Sequence, residues 1–149
     1  MDEVFDRHSY GAHSMKEFAR YTLFERMAKA NINFITTHCY RKGYVSKTGL
    51  TDPKYVKTLQ KKLEKLGAKF FPVHLKADNK ELLRRVSMSS RKKFKKLKSK
   101  KIMRRWLLGR DWHTSPNLKN NFIVDNTNLS PEKVANTIIK HFRLTKVGK

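Results

Sequence analysis

Val73-His74-Leu75-Lys76-Ala77-Asp78-Asn79-Lys80-Glu81-Leu82-Leu83-Arg84-Arg85-Val86-Ser87-Met88-Ser89-Ser90-Arg91 is the stretch on which the fold turns. It opens as a β-prone run, Phe70-Phe71-Pro72-Val73-His74-Leu75. Pro72 cannot donate to a ladder, so the run reads as an edge strand or as one that starts at Pro72. Asp78 with Glu81 three residues later is a capping-box-like helix start. The helix it opens is expected to run from about residue 79 into a basic segment, with a break near Ser89-Ser90. A further helix then carries Ile102, Met103, Trp106 and Leu107 to Gly109, so that 79–109 forms a lid-like basic helical segment.

On both sides of this stretch the pattern alternates helix and strand, the signature of an α/β fold. Upstream, Ser14-Met15-Lys16-Glu17 reads as a capping box before a helix to about Ala30. Asn33-Phe34-Ile35-Thr36-Thr37-His38 reads as a short strand, and residues 40–51 read as a loop. Asp52-Pro53 reads as a helix start, Asp as N-cap and Pro at the first helical position, with Gly67 as the stop. Downstream, Phe122-Ile123-Val124-Asp125 reads as the last strand. Ser130-Pro131-Glu132 opens the last helix, with Val134, Ala135, Ile138, Ile139 and Phe142 inward. No repeat and no linker interrupts this order, and a single α/β domain over 1–149 is expected. Its sheet should be short and mostly parallel, flanked by helices.

Composition limits the function classes. The chain has 149 residues, enough for one modest core. Its mean hydropathy is −0.72, yet 11% of its residues are aromatic, too many for a disordered tail. The formal charge of +23 favours polyanionic partners: nucleotides, nucleic acid or an anionic membrane. One cysteine, Cys39, excludes a disulfide framework. The six histidines show no metal-ligand spacing. No apolar run approaches the roughly 18 residues of a membrane span, and Met1–Tyr10 has no apolar signal core. A cytoplasmic protein without membrane association is expected.

The order strand, Ala77-Asp78, helix with Arg84-Arg85 and Arg91, and then strand, Asp125-Asn126-Thr127, helix from Ser130-Pro131-Glu132 resembles the C-terminal half of small P-loop kinases. The resemblance is to the nucleoside-monophosphate and shikimate kinases and the chloramphenicol phosphotransferases, and it covers roughly residues 15–144. It implies an incomplete three-layer P-loop fold. The family sheet is ordered 2-3-1-4-5, so residues 33–38 would be strand 3, residues 70–75 strand 4 and residues 121–126 strand 5. Strands 3 and 4 would then pair directly or leave a gap where strand 1 belongs. Exposed edges on residues 33–38 and 70–75 would favour self-association.

The resemblance also assigns roles. Arg85 and Arg91 would reach the transferring phosphate, where a planar guanidinium matches phosphate oxygens in pairs. Arg84, adjacent on the same helix, is the weaker candidate. Asp125, Asn126 and Thr127 would approach the base and ribose of ATP. Thr37 and His38, at the end of a strand, would face a small hydroxyl-bearing substrate, with ATP and Mg2+ completing the reaction. The sequence departs from the family in having no G-x-x-x-x-G-K-[ST] segment. The lookalike Gly43-Tyr44-Val45-Ser46-Lys47-Thr48-Gly49 lacks the preceding glycines. Nor is there a strong Walker B acid; Asp2, Glu3 and Asp6 would be remnants of the region after strand 2. A truncated kinase, inactive alone, is therefore expected. The alternative is a non-enzymatic basic module that binds nucleic acid, suggested by Arg91–Arg105, where ten of fifteen residues are Lys or Arg.

Overall fold

The computed structural model describes residues 9–93 and 97–145, except for the side chains of Lys92 and Lys93. They form mixed α/β structure in two compact units. The first comprises the described residues through Phe70 together with Pro116–Lys119; the second comprises Phe71–Ser115 and the described residues from Asn120 onward.

In the first unit, α1 spans Tyr10–Lys29. Its N-cap is Ser9, whose hydroxyl accepts from the Ala12 N–H at 3.1 Å. The capping box expected at Ser14-Glu17 is therefore not the helix start. Ser9 offers the same chemistry a turn earlier. Glu17 is held elsewhere, accepting from the hydroxyls of Ser46 and Thr48 at 2.9 and 2.7 Å.

The second helix, α2, spans Asp52–Lys65. Thr51 caps it through Oγ1, which accepts from the Lys54 N–H, so the cap lies one residue before the expected Asp52. The Asp52 carboxylate is buried and serves other donors, His38 and the Arg41 N–H. Gly67 stops the helix as expected, at a φ of +78° that favours glycine. Phe24, Tyr55, Leu59 and Leu63 form the core of this unit, fringed by Tyr21, Met27, Phe34 and Phe70.

Residues 33–38 are not a strand, which overturns the expected strand 3. Phe34 turns inward and stacks on Phe24 at 5.0 Å, while Ile35 is 99% exposed. A β-prone run becomes a strand only where a neighbour supplies ladder partners. Among the described residues none runs beside this one, so the pairing edge expected on residues 33–38 does not form there. An antiparallel bridge, Val45 to Thr51, closes the following loop.

In the second unit, β1 (Val73–Lys76) and β2 (Phe122–Asp125) pair in parallel, from Val73 opposite Phe122 to Lys76 opposite Asp125. Pro72 precedes β1 and contributes only its carbonyl, which accepts from the Phe122 N–H at 2.9 Å. That use suits a residue with no N–H of its own.

The segment after β1 divides into α3 (Asn79–Arg85), α4 (Ser90–Lys93) and α5 (Lys100–Leu107). The first break covers Val86–Ser89, slightly earlier than expected. Val86 is fully buried there at 0% exposure, so the chain turns where its apolar side chain is anchored. The last helix, α6, spans Pro131–Phe142 and is capped by Ser130 as expected. His141, at its end, stacks on Phe122 with ring centroids 3.7 Å apart.

Candidate functional site

Because β1 and β2 are parallel, the turns that follow them lie at the same end of the sheet. One is Ala77-Asp78, leading into α3; the other is Asn126–Ser130, leading into α6. The Asp78 N–H donates to Thr127 Oγ1 at 2.9 Å and ties the two turns together. Asp125 accepts from the Thr127 N–H at 2.9 Å, closing an Asx turn. Hydrogen bonding from Thr127, reinforced by Lys76, holds the Asp125 carboxyl below its ordinary range.

Arg85 reaches from α3 to the second turn. Its NH1 donates to Asn126 Oδ1 at 3.0 Å, and its NH2 donates to the Asn126 and Thr127 carbonyls at 2.6 and 3.3 Å. Its Nε donates to Glu81 Oε1 at 2.7 Å. Glu81 also receives both Nε and NH2 of Arg84, at 2.6 and 2.7 Å. One carboxylate thus holds two guanidinium groups, and their hydrogen bonds push Glu81 down to about 2. Arg91 donates through Nε to the Leu97 carbonyl at 2.7 Å.

These side chains line one groove of about 1,050 Å³. Its polar wall includes Arg84, Arg85, Arg91, Asn126, Thr127 and Asn128; Leu75, Met88, Val134 and Ile138 make it apolar elsewhere. The expected candidates Arg85, Arg91, Asn126 and Thr127 therefore meet, although about 40 residues of chain separate the arginines from the turn. Asp125 does not line the groove and holds the turn by accepting from the Thr127 N–H. Arg85 spends most of its donors on that turn and on Glu81. It positions the groove wall in this state and does not point freely at a ligand.

Thr37 and His38 belong to the first unit. Thr37 is exposed on the irregular segment. His38 Nε2 lies 3.1 Å from Asp52 Oδ1, and its ring sits 4.9 Å from that of Tyr55.

The sequence reasoning missed two residues, Glu81 as the clamp on Arg84 and Arg85, and Asp52 as the partner of His38. The first was detectable, because Glu81 stands three and four residues before the arginines, the spacing of helical ion pairs. The second had no local signal, since 14 residues separate Asp52 from His38.

The loop 43–49 places Ser46 and Thr48 on Glu17. Asp2, Glu3 and Asp6 lie outside the described residues, as do Phe94, Lys95 and Lys96 of the basic run. In α5 the charges Lys100, Lys101, Arg104 and Arg105 surround Ile102 and Met103. Trp106 stacks near Trp112 at 6.5 Å. Among the described residues no three His, Cys, Asp or Glu side chains converge as an all-protein metal site would require. No helix among them is long and apolar enough to cross a membrane.

The Glu81 clamp carries a pH dependence. Its folded value lies near 2, below its ordinary 4.5. Its contribution is therefore fully present above about pH 4.5 and is lost as the pH falls toward 2. Both tryptophans lie in the second unit, so their fluorescence reports its unfolding. The urea midpoint read there should fall across that window, and Glu81→Gln should flatten the fall. An unchanged slope in the variant would mean that other carboxylates control it.

Compared with known proteins, the chain matches no protein-family model, no curated protein and no solved structure.

Proposed function

We propose that the chain is a kinase-like phosphotransferase component whose second unit holds a nucleotide, ATP in the first place, in the groove between α3, the Asn126–Ser130 turn and α6. One observation carries this: the bonds from Arg85 to Asn126 and Thr127 join two distant motifs on one groove. The position supports it too, because ligands of parallel α/β sheets bind beyond the carboxyl ends of strands. Leu75, Met88, Val134 and Ile138 suit the flat face of a base. Arg91 suits the phosphates, for which a guanidinium offers paired donors; Arg84, at the groove edge, holds Glu81 with its own pair. Arg85 acts as a positioning residue for the turn. The P-loop kinase-like fold belongs to the same proposal, with β1 and β2 in the places of strands 4 and 5.

A kinase cradles the phosphates with backbone N–H groups of its glycine-rich loop. The sequence has no such loop, so the nucleotide should be bound weakly, with Kd of roughly 1 mM or above, and without phosphoryl transfer by this chain alone. Photoaffinity labelling with 8-azido-ATP captures binding of that strength. Label should fall on 75–91 or 126–138 and should be competed by ATP better than by inorganic tripolyphosphate. Label centred on 100–107, or equal competition by both anions, would replace the groove with a diffuse basic field. Micromolar, Mg2+-dependent ATP affinity by calorimetry would contradict the missing cradle.

One observation favours a second function, a basic nucleic-acid-binding module. Within eight residues α5 carries Lys100, Lys101, Arg104 and Arg105, next to the paired Trp106 and Trp112 rings. Steeply salt-dependent binding to any duplex, with no nucleotide labelling of the groove, would select it.

A further inference from the structure

The first unit contains a cavity of about 240 Å³ in which the nucleotide groove has no part. Drug-sized ligands occupy about 300–1,000 Å³, so this cavity suits something smaller. One wall is a single face of α1, where His13, Lys16, Glu17 and Arg20 follow helical spacing. The cations Lys16 and Arg20 are exposed at its rim. Arg20 lies over the Tyr55 ring, 5.9 Å from its centroid.

The floor is different. Asp52 is buried there, with Oδ2 accepting from the Arg41 N–H at 2.8 Å and Oδ1 facing His38 Nε2 at 3.1 Å. Glu17, the other acid on the wall, accepts from the Ser46 and Thr48 hydroxyls. Hydroxyls and a backbone N–H thus meet both carboxylates, while cations stand at the entrance and a positioned imidazole stands below.

We propose that this cavity binds a small hydroxylated anion, its carboxylate or phosphate monoester held at the rim by Lys16 and Arg20 and its hydroxyl directed to His38 and Asp52. The anion gains charge-assisted hydrogen bonds at the rim. The Asp52 carboxylate fixes the His38 ring, so that a hydroxyl meets an oriented partner and not a rotating one. Binding does not rest on the nucleotide proposal.

The test is an NMR titration of the full, 15N-labelled chain at fixed ionic strength, with inorganic phosphate in one arm and glycolate in the other. The Arg41 N–H signal, which reports on Asp52 through the bond to its Oδ2, is the readout. It should shift and saturate in at least one arm. Saturation at the lower concentration with phosphate assigns a phosphate ester, and with glycolate a carboxylic acid. Arg20→Gln and Lys16→Gln should each raise the half-saturation concentration roughly tenfold, about 1.4 kcal/mol, and Lys54→Gln should leave it unchanged. The Tyr signals, all from the first unit, check that each variant is folded. A shift that stays linear in both arms, or an equal loss in Lys54→Gln, would overturn the site. Nucleotide labelling of the second unit does not enter this readout, so the two proposals fail separately.

Discussion

Replacing Arg85 by Ala should lower the stability of the second unit by about 2–3 kcal/mol, the scale of losing hydrogen bonds from a charged donor. The side chain is only 28% exposed and bonds Glu81, Asn126 and the Thr127 carbonyl. Without it the Asn126–Ser130 turn loses its tie to α3, and the Asn126 and Thr127 carbonyls lose a donor. Arg85→Lys should recover less than half of the loss, because an ammonium cannot span three acceptors with a planar fork. Arg84 provides the contrast. It shares Glu81, yet its side chain is 64% exposed, and Arg84→Ala should change stability by less than about 0.5 kcal/mol. Urea titration followed by Trp106 and Trp112 fluorescence measures all three variants. Equal losses for Arg84→Ala and Arg85→Ala would show that the turn does not depend on the Arg85 bonds.

The largest expected effect in the first unit comes from Leu63→Ala. Leu63 is 3% exposed and packs with Phe24, Tyr55 and Leu59. Removing a buried leucine side chain leaves a cavity and costs about 2–5 kcal/mol. The core of this unit is small, so a loss of that size is expected to abolish its cooperative melting at 37 °C. All five tyrosines lie in this unit. Their near-ultraviolet circular dichroism should therefore vanish in the variant, while the tryptophan fluorescence transition of the second unit is retained. Retention of the tyrosine signal would mean that Leu59 and its neighbours close the space. Leu66→Ala, near the end of the same face but more exposed, should cost less than about 1 kcal/mol.

Local chemistry was legible residue by residue. Asp78 and Ser130 cap the helices that they were expected to cap. Gly67 and Gly109 take the positive φ that ends a helix. Such signals act over three or four residues, and no distant partner can easily displace them. Where a second group competed, the local pattern lost. Ser14 and Glu17 have the capping-box spacing, yet Glu17 is taken by Ser46 and Thr48, 29 and 31 residues away. Asp52 looks like an N-cap, but its carboxylate is drawn to His38 and Arg41 and the cap passes to Thr51.

By itself, the sequence determined which segments can be helices, where they stop, the positive field, and the residue types available to bind phosphate. Each follows from properties that a residue carries with it: propensity, capping groups and charge. Tertiary structure alone decided which β-prone runs became strands. Asn33-Phe34-Ile35 and Asn121-Phe122-Ile123 open alike, but among the described residues only the second run lies beside a partner strand, β1. It also decided that Arg85 would hold the Asn126–Thr127 turn and that His38 would rest on Asp52. Contacts between groups 14 to 42 residues apart depend on how the chain closes in space, and no local spacing encodes that closure.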